Sequence, residues 1–406
     1  MQSKRGSPKL KPKASMKEIK ILHDTEYEQK MQVSLKVPGI YTFIGEFSDY
    51  CNGYTLCGAS PLTLEVGLSE RQDQSVRLYL APTNDRKRFN LQNLKYRRED
   101  RWANIIKGVL SVLSNRGYKS KGFNITLNGE LLLLEDTMVN SAIALATTLA
   151  LRNLFFPSLK AEECGTIGYS ALSSFVGEKC RLVIFYAMLE ADDSSYLLYD
   201  LDDFKFKRIP FNFSNREINS IVVESKISPV ALKEELSLKR LESAKAFERL
   251  RELYPTALLR DVSPLEIKEL GPALTENEKR ICHYVLNESR LAKEASKLLE
   301  QKDLVMYGKS LSRLQTGLRD VFEVTCPEID WLTKRALEID GTFGATMITT
   351  GSSGSIFLLM SQKAIELYTA QLEAYEHIFG FKPTWTYYNP AQKLKIVSTS
   401  DDHSSY

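Results

Sequence analysis

Apolar and polar residues alternate from about Lys30 onward, with Val33, Leu35 and Val37 sharing one side of an extended segment before a Pro38-Gly39 turn. A period of two marks a half-buried strand, whereas apolar residues returning every three to four positions mark a helix. By that criterion strands are expected over 63–68, 75–81, 124–134, 205–209 and 220–223, and helices over 103–114 and 141–154. Leucines and charges then recur at helical spacing over 229–253 and 276–300, followed by strands near 345–348 and 355–360 and a helix over 363–375. Interleaved strands and helices on both sides of 210–215 predict two mixed α+β domains. The division is a lead-in over 1–29, an N-terminal domain over 30–212, a C-terminal domain over 213–395 and a polar tail over 396–406. Lysines with proline and glycine breakers make the first seventeen residues read as a flexible tail.

Composition narrows the function. A chain of 406 residues with 43% hydrophobic content can fill two cores. Fifty-four Lys and Arg against 51 Asp and Glu leave +3, which gives no bulk case for nucleic acid or an anionic membrane as partner. The apolar runs 131–134 and 142–151 are short or interrupted, and the first twenty residues have no signal-peptide core. Six scattered cysteines and four histidines without metal-ligand spacing predict a reducing, cytoplasmic setting and no metal site.

Four segments carry the outline of a chemistry. Residues 38–50 read Pro-Gly-Ile40-Tyr-Thr42-Phe-Ile-Gly45-Glu46-Phe47-Ser-Asp49-Tyr, and residues 175–185 read Phe-Val-Gly-Glu-Lys-Cys180-Arg181-Leu-Val-Ile184-Phe. Residues 259–263 read Leu-Arg-Asp-Val-Ser, and residues 317–330 Gly-Leu-Arg-Asp-Val-Phe-Glu-Val-Thr-Cys-Pro-Glu-Ile-Asp. In family order, these resemble P-G-R-V-N-L-I-G-E-H-T-D-Y, F-V-G-x-x-C-G-x-M-D-Q, L-R-D-V-[ST] and S-L-R-D-x-[YF]-E-V-S-C-P-E-L-D of the galactokinase branch of the GHMP kinase superfamily. The likeness spans roughly residues 33–390, and collinearity of several motifs carries weight that one short motif lacks.

The resemblance implies an α+β fold of two domains, ribosomal-protein-S5-like and then ferredoxin-like, with a ligand cleft between them. It implies that Glu46 and Asp49 hold the hydroxyls of galactose or a related sugar, a task suited to carboxylates with several lone pairs. The bland alternative is that both acids cap a turn beside Gly45.

The phosphate-handling positions depart from the family. Ile184 stands at the catalytic aspartate, and an alkane accepts no proton. Ile40 replaces the arginine that would stabilise charge on the transferring group. Phe47 and Thr42 replace the signature histidine and asparagine, and Leu236 replaces a tyrosine of the sugar pocket.

The phosphate loop, P-x-G-x-G-L-S-S-S-A-A-L in the family, corresponds to residues 133–142. Its glycines become Glu135 and Thr137, Asp136 adds a second carboxylate, Asn140 precedes the helix and only Ser141-Ala142 survives. Each like-charge contact at 4 Å costs about 1 kcal/mol in water and about 4 kcal/mol near a protein surface. The same acids suit the positive end of a helix, so the chain is expected to supply its own anion there. Thr349 and Thr350 replace glycines of the third family motif.

The expectation is a galactokinase-like protein that has lost phosphoryl transfer and keeps sugar binding or a role in contacting an unidentified protein, with no cofactor. Two alternatives stand beside it. One is an active galactokinase using Mg-ATP through a rearranged site in which Asp192 or Asp193 serves. The other is an interaction protein with a closed cleft.

Overall fold

The computed structural model describes residues 16–398 apart from 135–136, 211–217, 256–257 and 351–353. One sheet contains β1 (Val33–Ile44), β2 (Tyr54–Glu70), β3 (Ser75–Leu80), β4 (Asp85–Asn90), β5 (Phe123–Asn128), β6 (Ser195–Asp200) and β7 (Phe206–Pro210). Its order is β1-β2-β5-β3-β4, with β6 pairing β2 and β7, and only the β3–β5 pair is parallel. Packed with it are α1 (Met16–Tyr27), α2 (Ala103–Asn115), α3 (Thr137–Phe155), α4 (Ala161–Ser170) and α5 (Leu182–Glu190). By length and composition α3 could cross a bilayer, but most of it is buried in this core.

The second sheet is antiparallel, ordered β11-β8-β10-β9, from β8 (Ile218–Glu224), β9 (Thr342–Met347), β10 (Ser355–Ser361) and β11 (Thr384–Tyr387). With it come α6 (Pro229–Leu253), α7 (Pro264–Glu269), α8 (Glu276–Glu300), α9 (Leu304–Asp320), α10 (Pro327–Leu337) and α11 (Gln362–Phe379). α8 starts where Thr275 and Glu278 cap each other, the Thr275 hydroxyl accepting from the Glu278 N–H at 3.3 Å and the Glu278 carboxylate from the Thr275 N–H at 2.7 Å.

β1 joins the two cores. Val33, Leu35 and Val37 belong to the first, whereas Tyr41, Phe43 and Phe47 belong to the second. A register break between Pro38 and Ile40 lies just before the strand leaves the first core, which still holds Ile40.

Three expectations need correction. The lead-in over 1–29 contains α1, held by buried His23, whose ring nitrogens lie 3.0 Å from Thr126 Oγ1 and 2.9 Å from Ser69 Oγ. The strand expected over 124–134 stops at Asn128 because Gly129 takes a φ of 119°, and a short helical turn follows. A Cβ at Gly129 would lie 2.3 Å from the Thr63 carbonyl oxygen, so the turn requires glycine. The expected tail over 396–406 begins with a strand, β12 (Lys395–Ser398), whose pairing with β1 runs from Lys36↔Lys395 to Val33↔Ser398. That pairing covers the backbone edge of β1.

Candidate functional site

The signature loop leaves β1 at Gly45, where φ is +100° and a Cβ would lie 2.4 Å from the Tyr54 carbonyl oxygen. Glycine at this point turns the chain so that Glu46 is buried, and Asp49 follows in a short helical turn, Ser48–Cys51. From behind, Glu288 of α8 accepts the backbone N–H groups of Gly45 and Glu46 at 3.2 and 3.0 Å on one oxygen and that of Phe47 at 3.2 Å on the other. Burial pushes the Glu288 carboxyl up to about 7, against the pull of those donors. Phe47 lies in the core, 4.5 Å between ring centroids from Phe322.

Glu46 and Asp49 meet, as the sequence places them, but both bind the protein's own arginine. Arg181, just ahead of α5, points its guanidinium between them, bonding Glu46 Oε2 at 2.8 Å through one Nη and Asp49 Oδ2 through Nε. It also donates to Thr42 Oγ1 at 3.4 Å, and to the Gly45 carbonyl oxygen and Thr55 Oγ1 at 3.0 Å each. A guanidinium has five N–H donors, and five acceptors surround this one. Arg240 of α6 reaches the other Glu46 oxygen at 2.5 Å. Burial works against charge on Arg181, but Asp49 and Glu46 outweigh it and hold the guanidinium firmly protonated. A sugar hydroxyl would have to displace a bidentate, charge-assisted partner to reach these carboxylates.

On the side of Glu46 that faces Ile184 the enclosed space is small, whereas a larger cavity opens on the side where Glu46 and Asp49 meet Tyr50 and Tyr169. Glu46, Thr137, Met138, Ser141, Cys180, Arg181, Ile184, Arg240 and Thr350 enclose about 10 Å³, room for roughly one water molecule. Ile184 is 5% exposed in the first turn of α5, and Ile40 is fully buried in β1. Thr350 accepts the Thr42 N–H on its hydroxyl at 2.5 Å, tying the third motif to the signature strand.

Glu135 and Asp136 lie outside the described residues. Thr137 opens α3, which includes Asn140 and Ser141, and both of these side chains bond within the chain. Asn140 Nδ2 donates to Glu178 at 2.7 Å and Ser141 Oγ to the Thr137 carbonyl at 2.9 Å. Asp192 is engaged elsewhere, accepting from Ser194 and Ser195 and pairing with Arg208 at 2.7 Å. Leu236 is buried on α6. Two cavities flank the closed centre. One, of about 450 Å³, lies at Asp49, Tyr50, Tyr169 and Arg181, and another, of about 410 Å³, at Thr137, Lys179, Lys233 and Leu236. Among the described residues no group of three or more His, Cys, Asp or Glu could hold a metal.

Arg181 is the residue at the centre of these contacts, and the family motifs do not single it out. The signal was present: arginine stands where the resembled stretch F-V-G-x-x-C-G has its second glycine.

No protein-family model matches the chain. The chain is 27% identical over 354 residues to a galactokinase of Clostridium tetani, covering 85% of this chain and 88% of that one. It is 26% identical over 367 residues to a galactokinase of Pyrococcus furiosus, covering 90% and 99%. Its fold matches a Lactococcus lactis galactokinase complexed with galactose at a TM-score of 0.85, with 20% identity and 94% and 99% coverage. A Methanococcus jannaschii mevalonate kinase follows at a TM-score of 0.58, with 16% identity, 89% of this chain and 99% of that chain.

Proposed function

The chain belongs to the galactokinase family and has the two-domain α+β fold of the GHMP kinase superfamily, and from that premise we propose that it does not transfer phosphate and that its sugar site is closed by its own arginine. The observation that carries this reading is the Arg181 guanidinium filling the space between Glu46 and Asp49. Ile184 supports it, because a catalytic base must reach the proton it removes and this side chain holds none. Ile40 supports it too, since the positive charge that would meet the transferring group is missing. On this reading the protein acts through what it contacts, as a ligand-sensing or protein-contacting member of its family, in the cytoplasm.

Calorimetry with galactose tests the closed site. The wild-type chain is expected to give no heat of binding, and Arg181→Gly, which restores the family residue, to bind galactose through Glu46 and Asp49. Asp49→Ala added to Arg181→Gly is expected to abolish that binding. Ordinary galactose affinity in the wild type overturns the closed site.

A second reading has an observation of its own: the relatives aligned over most of their length are galactokinases. On it the chain phosphorylates galactose with Mg-ATP, and Arg181 swings out when sugar enters. Asp192 would then have to leave Arg208 and its serines to act as base.

A further inference from the structure

A groove of about 1010 Å³ runs along the second unit between α8 and α9, larger than either cavity beside the signature loop. Arg280, Tyr284, Asn287 and Leu291 recur along it at helical spacing on α8, and Arg313 and Leu314 face it from α9. Tyr284, Leu291 and Leu314 are buried, which makes the floor apolar and partly aromatic. Five Lys and Arg and three Glu line the groove, but one of those glutamates, Glu288, has both oxygens committed to the signature loop. Arg280 pairs with the exposed Glu323 at 3.0 Å and Lys279 with Glu276 at 2.6 Å, and with Glu323 counted the five cations still outnumber the three carboxylates left to face them. Arg313 and Glu294 sit 3.8 Å apart with both side chains more than half exposed, a pair that an incoming anion separates at little cost.

The helix that lines this groove also holds the signature loop. Besides Glu288, Ser289 Oγ accepts the Tyr54 N–H at 2.9 Å, and Lys293 Nζ donates to the Tyr54 hydroxyl at 3.0 Å. A small shift of α8 is thus passed directly to Gly45, Glu46 and Phe47.

We propose that this groove binds a small organic anion with a flat apolar body, of the aryl phosphate, sulfonate or carboxylate class, and that α8 transmits its occupancy to the signature loop. Such a ligand lays its ring on Tyr284, Leu291 and Leu314 and its charge against Arg280 and Arg313. Pockets of this size with an apolar floor and a few polar groups suit small ligands.

The test is a fluorescence titration of the whole chain with 1-anilinonaphthalene-8-sulfonate. One saturable site is expected, displaced by 1-naphthyl phosphate but not by uncharged naphthalenemethanol. Affinity is expected to fall about tenfold or more in Arg280→Glu/Arg313→Glu, and to stay unchanged in Arg88→Glu, an exposed position on β4. Hydrogen exchange at the amides of residues 45–47 is expected to change on saturation. Unsaturable binding, equal displacement by the alcohol, or an unaffected double variant overturns the site, and unaltered exchange at 45–47 overturns the coupling. Should the double variant fail to fold, the competition between phosphate and alcohol on the wild type decides alone.

Discussion

At the scale of single residues, Arg181 joins β1, β2 and α5 through one guanidinium, so its loss leaves two carboxylates facing each other with only Arg240 to balance them. Removing one partner of a buried ion pair is expensive because the other charge stays desolvated. Arg181→Gly is therefore expected to lose on the order of 3 kcal/mol of stability in chemical denaturation. Galactose should raise the midpoint of that variant and leave the wild type where it is, since a ligand stabilises only the state that binds it. Two buried titratable groups give opposite pH slopes. Glu288 has a native value of about 7 against an ordinary 4.5, so its contribution is fully present below about 4.5 and is lost as pH rises through 7. Burial lowers His23 from 6.5 to about 4, so its contribution is present above 6.5 and is lost as pH falls through 4. The two largely cancel in the whole protein. In urea titrations from pH 4.5 to 7.5, Glu288→Gln should gain stability with rising pH relative to wild type, by up to roughly 3 kcal/mol. Parallel curves would mean that Glu288 is not protonated in the native state.

At the scale of elements, β12 protects the edge of β1 opposite β2. Ending the chain after Leu394 should lower the melting temperature and promote self-association seen by size-exclusion chromatography, because an unpaired strand edge invites another chain. An unchanged elution volume and melting temperature would show that the edge is protected in another way. This strand of four residues is too short to show a period, α1 is a polar helix of twelve residues, and the reason for both to form is long-range: β12 pairs with residues 33–36, and His23 bonds residue 126. Long periodic segments were legible. The helices expected over 229–253 and 276–300 are α6 and α8 with those same limits, and the signature motif picks out Glu46 and Asp49, which meet on one arginine. The closure of the site was not, because Arg181 meets acids more than 130 residues away, and only the missing motif glycine hinted at it.

At the scale of the whole molecule, β1 joins two cores, and the signature loop with Glu46 and Asp49 lies where they meet. That joint is closed by complementary charge around Arg181 and by packing around Ile40, Phe47 and Ile184. Restoring one catalytic residue leaves the rest of the closure in place, so Ile184→Asp alone is expected to remain inactive and to lose stability, as a buried carboxylate in an apolar position does. The wild-type chain is expected to transfer no phosphate, and a coupled assay with galactose and Mg-ATP measures this. ADP release at the rate of the enzyme-free control is expected, because losing a general base alone removes about 10²–10⁴-fold and here the arginine of the signature is gone as well. Galactose-dependent turnover at an ordinary enzyme rate, about 1–10³ per second, would contradict it.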